Sequence, residues 1–370
     1  MPGAKEPQTV LTRASLLLVA LTGFMWLTGC GSAKRQTAYV TTPQNDGVTA
    51  FRVNTDTGAL TQVLGSPYPT GISPTAISVH PSGKFAYVSN AGEDTISLYK
   101  IGSTGELTEV TPRAVTGDQP SDILMDPAGK FLFSVNSAGN TISAFSIDSG
   151  TGVLSAVGAP PSTFGFTPIR GAIAPSGKFL YVANSNSASV TGYSIDGSGG
   201  LTLIPNSPVR VGNGPNWIAI DPAGKFLYVA NLQDGTFSGF NIDEASGALQ
   251  AMGGSPFGVS ITTTVIPLSS LVVDASGKYL YITALNSGNN VYGFTIDGTS
   301  GVPTAAVGNP VAAGSNASFI VNDTTGGLIF VGNQTSNSVS GFKIDPKTGV
   351  LTLISTTSTG SPPTSMVLVK

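Results

Sequence analysis

A carboxylate, Asp122, a guanidinium, Arg170, and two aromatic rings, Trp217 and Phe319, stand where the surrounding pattern of this chain otherwise repeats small polar residues. With Asn216, Ser270 and Glu93 they form the set from which a reactive or binding site would be assembled. A carboxylate takes a proton from water, and either Asp122 or Glu93 is placed for that role. The planar fork of Arg170 suits a carbonyl or an anionic group, and aromatic faces beside it suit a sugar-like ligand. A plainer arrangement uses the same residues, with Asp122 and Arg170 paired between neighbouring segments and the rings filling space.

Other chemistries find little material. His80 is the only histidine, which excludes a zinc site built from several. It also sits in a recurring turn, where it would be a poor member of a Ser–His–Asp triad. No metal and no cofactor is expected. Most aspartates belong to repeated turns, and Lys84, Lys130, Lys178, Lys225 and Lys278 follow the turn glycine in successive repeats. Both groups read as structural.

The elements that must hold the unusual residues are short strands. Glycine reaches 47 and proline 25 in 370 residues, which favours turns over long helices. One stretch runs Pro215–Asp221, a Pro222-Ala223-Gly224-Lys225 turn, then Phe226–Asn231, Thr236–Asp243 and Gly247–Met252. These are four strands, A to D. An aromatic in strand B returns at Tyr39, Tyr87, Phe133, Tyr181, Tyr228, Tyr281 and Phe330, at spacings of 46 to 53 residues. A four-stranded unit of this length is a propeller blade.

The first copy has strands B to D and no strand A, whereas Pro363–Val369 is a strand A with nothing after it. Open sheet edges are costly, so the two fragments should complete one blade. The expected fold is therefore all-β: a seven-bladed propeller of four-stranded blades over 37–370, closed by its C-terminal strand. The second and third residues of each strand A then gather at one channel mouth. Polar B–C loops, rich in asparagine at Asn90, Asn136, Asn184, Asn231 and Asn333, should open on the same face.

The N-terminus reads differently. Lys5 and Arg13 precede an apolar run from Leu16 to Trp26, followed by Leu27-Thr28-Gly29-Cys30. This resembles a bacterial lipoprotein signal over residues 1–29, cut before a lipid-bearing Cys30, with 30–36 as a short tether. The chain is then expected to be exported and held by a membrane, on the periplasmic or outer face of the cell envelope. Processing leaves a net charge of −4 and no basic cluster, which argues against nucleic acid as a partner. A monomer is expected.

Phe-Leu-Tyr-Val-Ala-Asn after a Pro-x-Gly-Lys turn, at 175–184 and 222–231, resembles the YVTN-type repeat. With its Ile-Asp and Gly-x-Leu segments, the blade is similar to the seven-bladed lactonase family that includes the propeller-type 6-phosphogluconolactonase. The resemblance covers about 36 to 370 and implies a site around the central channel. It also implies Gly-Pro-Arg-His on one inner strand and a His-Ser pair on another. This chain has Gly214-Pro215-Asn216-Trp217 and Pro168-Ile169-Arg170-Gly171 there, so no catalytic histidine carries over. Two functions fit. One is an envelope protein whose propeller face binds a protein or glycan; the other is a lactonase-type hydrolase acting outside the cytoplasm.

Overall fold

The computed structural model describes residues 36–259, 265–285, 289–306, 308 and 310–370, together with Gly3. Cys30 and the remaining residues of the expected signal and tether lie outside the described residues. Seven antiparallel sheets form the described body, each following the A–B–C–D order. The inner strands are Pro74–Val79, Pro120–Met125, Pro168–Ile173, Pro215–Ile220, Leu268–Val273, Ala317–Asn322 and Ser365–Val369, which we assign to blades 1 to 7 in that order. Consecutive inner strands pack side by side around the ring.

Blade 7 is the composite one. Its inner strand Ser365–Val369 pairs with Gln36–Thr42, from Thr37 opposite Val369 to Thr41 opposite Ser365. Gln36–Thr42 then pairs with Gly47–Val53. The ring closes between the two ends of the chain, as the incomplete edges require.

Strand B lies between strands A and C of each blade and is buried on both faces, so its run is mostly apolar up to the polar residues at its end. Its recurring aromatic also latches one blade to the next. The hydroxyls of Tyr39, Tyr87, Tyr181, Tyr228 and Tyr281 donate to the carbonyls of Gly105, Gly152, Gly247, Gly301 and Gly349, at 2.6 to 3.1 Å. Each acceptor lies in the C–D turn of the following blade. Phe133 and Phe330 hold the same place without a hydroxyl and fill space only. Replacing Tyr228 by Phe is expected to cost about 1 kcal/mol, because the Gly301 carbonyl loses a buried partner. Urea unfolding of the two proteins measures it, and an unchanged midpoint and slope would dismiss the latch.

The A–B turns hold themselves together. Asp221 accepts from the backbone N–H groups of Ala223, Lys225 and Phe226, at 2.6 to 3.0 Å. His80 takes this position in blade 1. Its Nδ1 accepts from the Ser82 N–H at 3.1 Å, so its Nε2 carries the proton and donates to the Gly129 carbonyl of blade 2 at 2.9 Å. The histidine is a link between turns.

Both described ends lie on the A–B turn face. Gln36, Arg52, Gly83, Gly105 and Lys370 line a cavity of about 540 Å³ there. The channel mouth is on the other face.

Candidate functional site

The mouth owes its form to a repeated irregularity. In blades 1 to 6 the register between inner strand and strand B slips by one residue, at Thr75, Ser121, Ile169, Asn216, Ser269 and Ser318. Such a bulge adds an unpaired residue and re-aims its side chain. Those six residues and Thr364 line a cup of about 360 Å³ on the propeller axis. Pro43, Pro74, Leu285, Asn316 and Gln334 contribute to its rim.

The cup wall is stitched between blades. Thr75 Oγ1, Ser121 Oγ, Asn216 Nδ2, Ser269 Oγ, Ser318 Oγ and Thr364 Oγ1 each reach a backbone carbonyl at the start of the next inner strand. The distances are 2.7, 3.2, 2.9, 2.5, 3.4 and 3.5 Å. Ile169 is the exception: it has no donor, and the stitch from blade 3 to blade 4 is missing.

Third-position residues reach deeper. Asp122, Arg170, Trp217, Phe319 and Ser365 line a second space of about 170 Å³ further down the axis. Arg170 and Trp217 line both spaces and form the partition between them. Arg170 Nη1 donates to Asp122 Oδ1 at 3.0 Å and to the Ser121 carbonyl at 3.3 Å. Asp122 Oδ2 accepts from the Gly171 N–H at 3.0 Å. The guanidinium carbon lies 4.6 Å from the centre of the Trp217 ring, within cation–π range. No bond within the described residues engages Arg170 Nε or Nη2. Burial pushes the Asp122 carboxyl above the ordinary carboxylate range; Arg170 and the Gly171 N–H pull the other way.

Of the residues expected at the mouth, Arg170, Asn216 and Trp217 line the cup. Asp122 and Phe319 do not reach it. Asp122 sits in the deeper space, and Phe319 is fully buried at the foot of the channel with Phe330 and Met366 in its cluster. Ser270 is also fully buried, its Oγ accepting from the Ile320 N–H at 3.2 Å, while its neighbour Ser269 faces the cup. Glu93 is drawn away to the outer part of blade 1, where Arg113 binds it at 2.7 Å and binds Glu109 at the same distance. The asparagines Asn90, Asn136, Asn184, Asn231 and Asn333 are fully buried and donate to hydroxyls of strand C, so they tie loops rather than present them. Among the described residues Arg170 is the only charged group lining the cup.

Ile169 and the ring of stitching donors were not singled out by composition. Aligning the repeats does reveal Ile169 as the one apolar residue at the second position, but its meaning depends on the bulge.

Fold and site together define a closed propeller with a single-cation cup on its axis. The chain belongs to the seven-bladed β-propeller lactonase family, whose model matches residues 30–167, 170–266 and 262–368. No curated protein matches it in sequence. A candidate 6-phosphogluconolactonase from Bacteroides uniformis superposes with a TM-score of 0.80 at 18% identity, covering 90% of this chain and 99% of that one. A similar candidate from Bacteroides fragilis gives 0.78 at 22%, covering 91% and 98%. The periplasmic gluconolactonase PpgL of Pseudomonas aeruginosa gives 0.77 at 17%, covering 91% and 99%. At such identities the likeness is one of fold.

Proposed function

We propose that the propeller hydrolyses a lactone in the axial cup, with Arg170 as the group that receives the carbonyl oxygen. The observation that carries this reading is Arg170 itself: among the described residues it is the one cation lining the cup, held in place by Asp122 and Trp217, with no described partner on Nε or Nη2. Family membership and relatives described as gluconolactonases support the reaction class.

Water adds to the carbonyl carbon, and the charge gathering on oxygen is offset by the guanidinium. Asp122 lies behind the Arg170–Trp217 partition, so it takes the proton of the attacking water through a second water in the deeper space. The ring C–O bond then breaks, the departing alkoxide takes back by the same route the proton that Asp122 holds, and a hydroxy acid leaves with the carboxylate restored. Lactone opening needs modest acceleration, so a small catalytic set suffices.

The base must be ionised to work. Because burial raises the Asp122 carboxyl, kcat/KM is expected to climb tenfold per pH unit below that raised value and to level off above it. Asp122→Asn should remove both the rate and the slope. Initial rates on a panel of γ- and δ-lactones, followed by indicator dye across pH, supply the test. A variant that keeps the wild-type rate and profile would remove Asp122 from the mechanism.

A second reading is binding without turnover, and one observation favours it: both oxygens of Asp122 already have partners. Absence of hydrolysis across the panel, with calorimetric binding of a carboxylate or sugar, would select it. In either case we propose action outside the cytoplasm, through export and lipidation of Cys30. The N-terminal sequence supports this, and one structural relative is a periplasmic protein. A protein or glycan of the envelope is the partner the second reading requires.

A further inference from the structure

We infer, resting on the lactonase reading, that the cup selects a lactone carrying an apolar substituent over a phosphorylated or polyhydroxylated sugar lactone. Sugar recognition needs a set of free donors and acceptors. Here the second-position hydroxyls are committed to backbone carbonyls around the ring, each with one proton to give, and Asn216 spends one of its two amide protons in the same way. Phosphate recognition wants several converging cations. Among the described residues the cup has one, and its charge is shared with Asp122.

What the wall does offer is carbon. Pro43, Pro74, Ile169, Trp217 and Leu285 supply apolar surface around Arg170. The polar ring opens only at Ile169, which makes blade 3 the apolar side of the cup. The loop leading into Ile169 continues that character, with Phe164 57% and Phe166 69% exposed. These rings are not on a loose segment. The Phe166 N–H donates to Ser187 Oγ at 2.7 Å, the Thr167 N–H to Asn140 Oδ1 at 2.8 Å, and the Thr163 N–H to the Asn140 carbonyl at 2.9 Å. Large apolar side chains held in water by a bonded loop that runs into the cup wall mark a surface that something apolar covers. A substituent leaving the cup over blade 3 is that cover.

The test compares kcat/KM for 5-alkyl δ-lactones of increasing chain length with D-glucono-δ-lactone and its 6-phosphate. Wild-type values are expected to rise about fourfold per added methylene over the first few carbons, the transfer value of a buried CH₂. The best alkyl lactone should exceed both sugar lactones by about tenfold or more. Ile169→Ser restores the residue type that the repeat uses elsewhere, and should cut the gain from chain length by about fivefold while the thermal midpoint holds. Phe166→Ser should shorten the chain length at which the rise stops. Turnover of the sugar lactones alone, or rates indifferent to chain length, overturns the inference and leaves the reaction standing. No turnover of any lactone overturns both.

Discussion

Arg170→Ala is expected to lower kcat/KM for any turned-over lactone by about 10²–10³, the usual consequence of removing an oxyanion-stabilising donor. The effect should fall mainly on kcat, since the charge that Arg170 meets develops as water adds. The same substitution strips Asp122 of its cation and leaves burial to raise that carboxyl with less opposition, so the pH profile and the thermal melt are read beside the rate. Arg170→Lys separates charge from shape. A lysine keeps the positive charge and loses the fork that spans Asp122 and ligand, as well as the flat contact with Trp217. It should recover less than a tenth of the lost rate. Steady-state kinetics with thermal melts on the three proteins settle the matter. Wild-type kinetics in Arg170→Ala would mean that the cup performs no chemistry through this residue.

The second large effect concerns the whole ring. Deleting 363–370 should abolish cooperative unfolding or lower the melting temperature drastically. The deletion takes away five residue pairs with the opening strand, from Thr37–Val369 to Thr41–Ser365. It also uncovers Ala38, Tyr39 and Val40, all fully buried, and removes the buried Met366 from a core shared with Phe319 and Phe330. A loss on this scale is comparable to the whole stability of a typical domain, about 5–15 kcal/mol. Scanning calorimetry reads the outcome, and a melting temperature within a few degrees of wild type would show that the ring does not depend on its clasp.

Blade number, strand order and closure were legible because they follow from turn chemistry, alternation and unpaired edges, all local properties of the chain. Tyr39 and Val367 had to meet, since neither fragment is a complete sheet alone. The site was legible in part, and for a different reason: Arg170 and Trp217 break a repeated pattern. Ser270 and Phe319 share their third-position register and yet are fully buried; behind the same bulge only the longer side chains of Arg170 and Trp217 extend back to the cup. No glycine or proline marks that bulge at the residue itself. Glu93 was misplaced for an electrostatic reason, as Arg113, twenty residues on, claims it at the edge of blade 1. The stitching ring depends on distances between blades, which no single repeat contains.

Gln36 and Lys370 both border the cavity on the face remote from the cup. Held at Gln36 or at Lys370, the propeller presents its cup outward, as a dish faces away from its stand. A bead, a dye or an electrode joined at Lys370 would leave diffusion to the cup unobstructed. Geometry alone thus gives the molecule a front and a back.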